Sequence, residues 1–141
     1  MKKVLFVLAF ILALPLAASA QTHPCDIAAI ANPVVQTNGP VAAGFCHDGK
    51  DADGNPVTIT AFRVTVDGVD VFKGPLTPIG TASATGFFYY ETPKNIVLAK
   101  GQHTAVGFAS SADGEGPGSD PFTFTLKGLP PGKAKIQKIT K

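Results

Sequence analysis

The sequence predicts an all-β protein, a sandwich or barrel of about seven strands that follows a signal peptide. Three observations predict it. The first twenty residues carry the charge and hydropathy profile of an export signal. Beyond them helical periodicity is nearly absent. In its place are short alternating or β-branched runs, broken by Gly, Pro, Asn and Asp clusters every eight to twelve residues or so.

Lys2 and Lys3 form a positive start, Val4 to Leu14 is unbroken apolar sequence, and Pro15 ends it. Ala18-Ser19-Ala20 then supplies the small residues that a signal peptidase requires. The run is too short and wrongly flanked for a membrane span. Cys25 follows Thr-His-Pro rather than a lipoprotein-type sequence, so no lipid anchor is expected. Cleavage after Ala20 removes 20 of the 141 residues and leaves 121, beginning at Gln21 and suited to one domain. The expected organisation is signal peptide 1–20, sandwich domain 21–127 and basic tail 128–141.

Along the mature chain, Asp26 to Ala31 reads as one helical turn that ends at Asn32-Pro33, because proline disfavours helical geometry in the residue before it. Val34-Val35 is a first edge strand, stopped by Asn38-Gly39-Pro40. Val41, Ala43 and Phe45 alternate up to Cys46, and a long polar turn runs from Asp48 to Pro56. Ile59 to Val66 is the clearest strand, with Phe62, Val64 and Val66 on one face and Ala61, Arg63 and Thr65 on the other. Asp67-Gly68 is a favoured hairpin dipeptide, and Val69 to Lys73 returns as a strand. Gly74 to Gly86 is loop, and Phe87 to Tyr90 is strongly β-prone. Ile96-Val97-Leu98 follows a Thr92-Pro93 break, Gln102 to Ala109 reads as a strand, and Ser110 to Asp120 as a flexible glycine-rich loop. Phe122, Phe124 and Leu126 alternate with threonines in the last strand.

The formal net charge of +2 resides entirely in the signal. From Gln21 to Leu126 there are five basic and ten acidic residues, a balance of −5. The last fifteen residues carry Lys127, Lys133, Lys135, Lys138 and Lys141 with no acid, a balance of +5. An extended, weakly packed basic tail is expected, with only Ala134, Ile136 and Ile139 apolar beyond Gly132.

Both cysteines, Cys25 and Cys46, lie in the exported part, where an even count favours one disulfide. Closing a loop of that size stabilises by about 3 kcal/mol in the chain-entropy account. The sharper alternative is a metal site built from His23, Cys25, Cys46 and His47, but the His-x-Cys and Cys-His spacings suit zinc poorly. Asp51, Asp53 and Asn55 are weak calcium candidates: their alternate spacing lets oxygens converge on a hard cation. Against that, Pro56 replaces the turn glycine of an EF-hand loop and no bidentate Glu follows. These are also ordinary turn residues. Phe88 and Tyr89 are the candidate ligand-contact aromatics, since on a half-buried strand two of the four aromatic rings face outward. No nucleophile elbow, paired carboxylates or phosphate loop is visible, the three histidines are dispersed, and no enzymatic activity or cofactor is expected.

The stretch Gly101 to Gly114, followed by Glu115-Gly116-Pro117 and Ser119 to Phe124, resembles the F-strand, F–G loop and G-strand of fibronectin type III and bacterial immunoglobulin-like domains. Ile59 to Gly68 is similar to the family's C-strand, and Leu98 matches its E–F leucine. The resemblance covers most of residues 33–126 and implies an immunoglobulin-like (fibronectin type III-like) β-sandwich. There are departures. Phe45 stands in place of the B-strand tryptophan, and the tyrosine-corner position falls on His103. Ala105 and Gly107 occupy positions where larger inward residues are usual. Either the register differs, turning Val106 and Phe108 inward, or the core there is filled from the Phe87–Tyr90 strand.

The expected function is that of an exported, non-enzymatic module, periplasmic or extracellular, that binds a protein or envelope polymer through its loops. The alternative is a carbohydrate-binding accessory domain that uses exposed aromatics. No nucleic-acid partner and no membrane span in the mature protein are expected; the partner and the oligomeric state are open. Intact-mass measurement of the exported protein should give a chain starting at Gln21, or its pyroglutamate form; a mass that includes the first twenty residues would refute the cleavage assignment.

Overall fold

A computed structural model describes residues 21–135, 137, 138 and 140; the signal peptide, Ile136, Ile139 and Lys141 lie outside the described residues. Eight strands form: β1 (Val34–Gln36), β2 (Gly44–His47), β3 (Ala61–Val66), β4 (Val69–Gly74), β5 (Phe88–Glu91), β6 (Gly101–Ser111), β7 (Gly114–Glu115) and β8 (Phe122–Lys127). Five of them make one sheet in the order β1-β8-β6-β3-β4, with β7 also paired to β6. The other sheet is only β2 and β5. The neighbours β8-β6-β3-β4 and β2-β5 are those of strands G-F-C-C′ and B-E in an immunoglobulin-like sandwich. No helix among the described residues is long and apolar enough to cross a membrane.

The alternation in β3 decides the core. Phe62, Val64 and Val66 are buried, as are Phe124 and Leu126 of β8. Directly across from them on β6 lie Ala109, Gly107 and Ala105, so β6 turns its smallest residues inward. Phe108 points the other way and lies 4.0 Å beneath the Arg63 guanidinium on the outer face. This settles the register left open by the sequence. The space above Gly107 is filled by Phe45 of β2, whose Cε1 would be 2.8 Å from a Cβ at that position. Phe45 stacks on Phe62 at 5.6 Å, and Tyr90 from β5 meets Phe62 at 4.6 Å. Fully burying a ring the size of Phe62 contributes about 1.5–3 kcal/mol.

Several expectations are corrected. The helical turn sits earlier, as a 3-10 turn at Pro24–Asp26, because His23 caps the Cys25 N–H and Pro24 opens the turn. Residues 27–33 carry on without regular structure, with Ile27 and Ile30 exposed. In the segment that joins β5 to β6, Ile96 makes one bridge to Val41, while Val97 is 81% exposed. Pro93 withholds a ladder donor just before that bridge. The segment after Ser111 is not simply a flexible loop. Gly114–Glu115 pairs with the end of β6, and Gly116 N–H and Ser119 N–H donate to the Ala109 and Gly107 carbonyls at 2.9 and 2.8 Å. Gly118 lacks a side chain where a Cβ would come within 2.9 Å of Phe108 Cε1 and Val106 Cγ1, so the segment lies flat on the outer face.

Polar contacts fix the two ends. Asp67 and Gly68 both take positive φ, 52° and 79°, the type I′ geometry between β3 and β4. Asp67 accepts the Thr104 N–H on one oxygen and meets His103 Nδ1 at 2.7 Å with the other. His103 Nε2–H donates to the Ala99 carbonyl, four residues upstream, at 2.8 Å. The histidine thus makes the backward hydrogen bond expected of the corner tyrosine. At the other end of the chain, Cys25 and Cys46 have Cα atoms 5.7 Å apart, inside the range a disulfide needs.

Two outcomes are expected. Both partners of His103 are acceptors, so the imidazolium satisfies both; the Ala99 carbonyl and the Asp67 carboxylate raise its pKa, while His103 and the Thr104 N–H lower that of Asp67. Stabilisation from the raised histidine is complete below its unfolded value of about 6.5 and is lost as pH rises through the folded value; that from Asp67 is present above about 3.9 and lost on acidification. The melting-temperature advantage of the native chain over His103→Gln should therefore shrink as pH rises above about 6.5; an advantage that grew with pH in that range would contradict the assignment. Cys25 and Cys46 should resist thiol reagents until reduced, and two titratable thiols in the native protein would contradict the bridge.

Candidate functional site

The five-stranded sheet is wider than the two-stranded one, and the sandwich is left open along one side of β2. A groove of about 1130 Å³ runs there, between β2, the N-terminal segment from Pro24 to Ala29, the connection from β2 to β3 and the connection from β6 to β8. Its floor is apolar, formed by Phe45, Phe62, Gly107 and Phe122, and its rim is polar, with Lys50, Asp51, Asp113 and Glu115. A narrower apolar cleft of about 230 Å³ extends it toward Val35 and Phe124, sharing Gly44, Phe45, Gly107, Ser119 and Phe122.

The two candidate aromatics separate. Tyr90 faces the core, so the pleat puts Phe88 on the same side and Tyr89 on the opposite face. Tyr89 lines the groove and Phe88 does not. Its ring covers Gly44, where a Cβ would come within 2.9 Å of Cε2. Its hydroxyl donates to Glu91 at 2.8 Å. Burial first, then the Glu91 carboxylate, pushes the phenol up to about 12, so Tyr89 stays a neutral donor. The two rings make no shared platform, because their one-residue spacing sends them to opposite faces.

The calcium candidates sit on the rim. Asp51 Oδ1 accepts the Asn55 and Asp53 backbone N–H groups at 2.8 and 3.0 Å, and Asp51 N–H donates to the Asn55 carbonyl. These bonds, the one from the Asn55 amide first, hold the Asp51 carboxyl below the usual range. Asp51 and Asn55 are thus brought together as the two sides of a tight turn, with Asp53 exposed beside them. The histidines of the alternative metal set are likewise engaged: His23 Nε2 meets the Thr81 carbonyl at 3.0 Å, and His47 Nδ1 accepts the Gly49 N–H at 2.8 Å.

One cluster escaped sequence reading. Arg63 donates through Nε and Nη2 to both Glu115 oxygens, at 2.8 and 2.5 Å, and through Nη1 to Asp70 at 2.9 Å. Arg63 holds the Glu115 carboxyl below its usual range. The signal available was the outward parity of Arg63 in β3; that Glu115 lies opposite depends on how the chain after Ser111 folds back.

No family model and no curated protein matches this chain. Among solved structures it is similar to fibronectin(III)-like modules of Clostridium thermocellum CbhA, at 18% identity over 72% of this chain and 96% of that one, with a TM-score of 0.38. It is also similar to CopC from Methylosinus trichosporium OB3b, at 19% identity over 74% of this chain and 91% of that one, again with a TM-score of 0.38.

Proposed function

We propose that the mature chain is an exported, non-enzymatic binding module whose protein or envelope-polymer partner seats in the groove beside β2. The observation that carries this reading is the groove itself: a concave apolar floor under a polar rim, formed by two loops on a rigid sheet. Support for a non-catalytic role comes from how the polar side chains of the walls are engaged. His47 caps its own turn, Ser111 Oγ accepts the Asp113 N–H, Ser119 Oγ donates to the Asp120 carbonyl, and Glu115 is held by Arg63. Each is tied to its own framework rather than aimed as a nucleophile–base pair. The disulfide pairing of Cys25 and Cys46 supports export to an oxidising compartment.

Carbohydrate is the second reading, favoured by the half-buried Tyr89 ring on the groove wall with Glu91 beside its hydroxyl. Photo-crosslinking in the native envelope separates the cases. A crosslinker replacing Ala52 or Asp113, on the two rims, should give protein adducts, whereas one replacing the exposed Val97 at the opposite end should not. Equal labelling from all three sites would overturn the groove as the binding surface. Loss of polysaccharide retention in Tyr89→Ala, with no protein adducts, would favour carbohydrate.

A further inference from the structure

Strand β2 has a partner on one side only. Val41 exchanges both backbone hydrogen bonds with Ile96, and the Ala43 carbonyl accepts from Thr92 N–H at 2.9 Å. Antiparallel alternation then turns Phe45 and His47 toward β5, and directs the N–H and C=O groups of Gly44 and Cys46 to the other side. Among the described residues those groups have no backbone partner. The side they face is the apolar cleft and groove. An unpaired strand edge above an apolar trough receives an extended segment by strand addition, with backbone bonds supplying affinity and alternate side chains filling the trough.

We infer that the segment received is the basic tail of a second copy of this chain, an assignment that rests on the groove being the binding surface. Charge selects it. The two loops bounding the groove carry Asp48, Asp51, Asp53, Asp113, Glu115 and Asp120 against Lys50, with Glu115 already matched by Arg63. The tail carries Lys133, Lys135, Lys138 and Lys141 with no acid. Lysines flank Ala134 on both sides, so an extended stretch over 133–135 presents Ala134 to the trough and Lys133 and Lys135 to the rim. Placement selects a second copy over the same one. The tail leaves from the Lys127 end of β8, beside Gly101 at the start of β6, whereas the acidic loops flank the end of β6 at Ser111. Ten residue steps of about 3.3 Å separate those ends, about 33 Å, whereas Lys133 and Lys135, four and six steps beyond Leu129, reach only about 13 and about 20 Å from that root. Leu129 N–H donates to Asn38 at 3.0 Å, which fixes the root of the tail at the far end. In a head-to-tail pair the root of one tail lies against the acidic loops of the next copy, a heterologous contact that can repeat.

Sedimentation velocity of the chain from Gln21 to Lys141 tests this. Concentration-dependent association is expected at about 0.05 M salt and its loss at about 0.5 M, where screening is far shorter-ranged. Deletion of Lys133–Lys141 and the exposed pair Asp53→Lys with Asp113→Lys should each leave the chain monomeric alone. A mixture of the two variants, one retaining the groove and the other the tail, should form a one-to-one complex. Hydrogen exchange should then slow at the Gly44 and Cys46 amides of the tail-deleted partner. A chain monomeric at every concentration, association that survives the deletion, or a complex without protection at those amides would each overturn the inference. If the full chain stays monomeric while its rims still crosslink to a foreign partner, the binding-module reading stands and this one falls.

Discussion

The packing of Phe45 over Gly107 is the contact on which the rest of the molecule depends. Two sheets of unequal width must be held face to face, and the narrower has only β2 and β5 to offer. It reaches the wider one through Phe45 and Tyr90, which both close on Phe62. The large ring fits because β6 withdraws at that point: Ala105, Gly107 and Ala109 are inward, and a Cβ on Gly107 would meet the ring. Large on one sheet and small on the other is how facing layers interdigitate at native density. The chain has no tryptophan, and this pairing fills the centre in place of a single larger side chain.

The same economy on the β2 side explains the open groove. Residues 27–33 run from the tether at Cys25 to β1 without pairing to the edge of β2; Ile27, Ala28 and Ala29 line the groove but add no strand across it. Exposed strand edges invite pairing, and proteins usually blunt them with bulges, prolines or charge. Here the flanking loops carry the charge, almost all of it negative. Such a rim discourages adventitious apolar association while it favours a cationic extended segment. The open, acid-rimmed groove is thus a consequence of a facing sheet of only two strands.

The outer face of the wide sheet is held differently. Arg63 lies over Phe108 and bridges Glu115 and Asp70, joining β3, β4 and β7 by charge-assisted bonds. The bidentate geometry is the kind in which a surface ion pair has its best chance of contributing. At the far end His103 and Asp67 join the β3–β4 turn to the corner before β6. The rigid frame around the groove therefore has an aromatic centre and polar fastenings at its periphery.

Sequence alone determined what depends on local chemistry. The alternation of Phe62, Val64 and Val66, the Asp67-Gly68 turn and the Phe122-Phe124-Leu126 strand follow from side-chain period and backbone propensity, and all appear in the fold. The pairing of Cys25 with Cys46 was suggested by a count of two behind a sequence that reads as an export signal, and the two lie at disulfide distance. Other features depended on contacts between residues far apart in the chain. Gly107 faces inward only because Phe45, sixty-two positions earlier, needs the room. Phe88 and Tyr89 looked equivalent until the β2 partner fixed which face was covered, and Glu115 became the partner of Arg63 only when the chain after Ser111 folded back. The groove has no motif at all. It is the space left when a two-stranded sheet is laid on a five-stranded one, and sheet width and overlap are set by tertiary packing, which local periodicity does not encode.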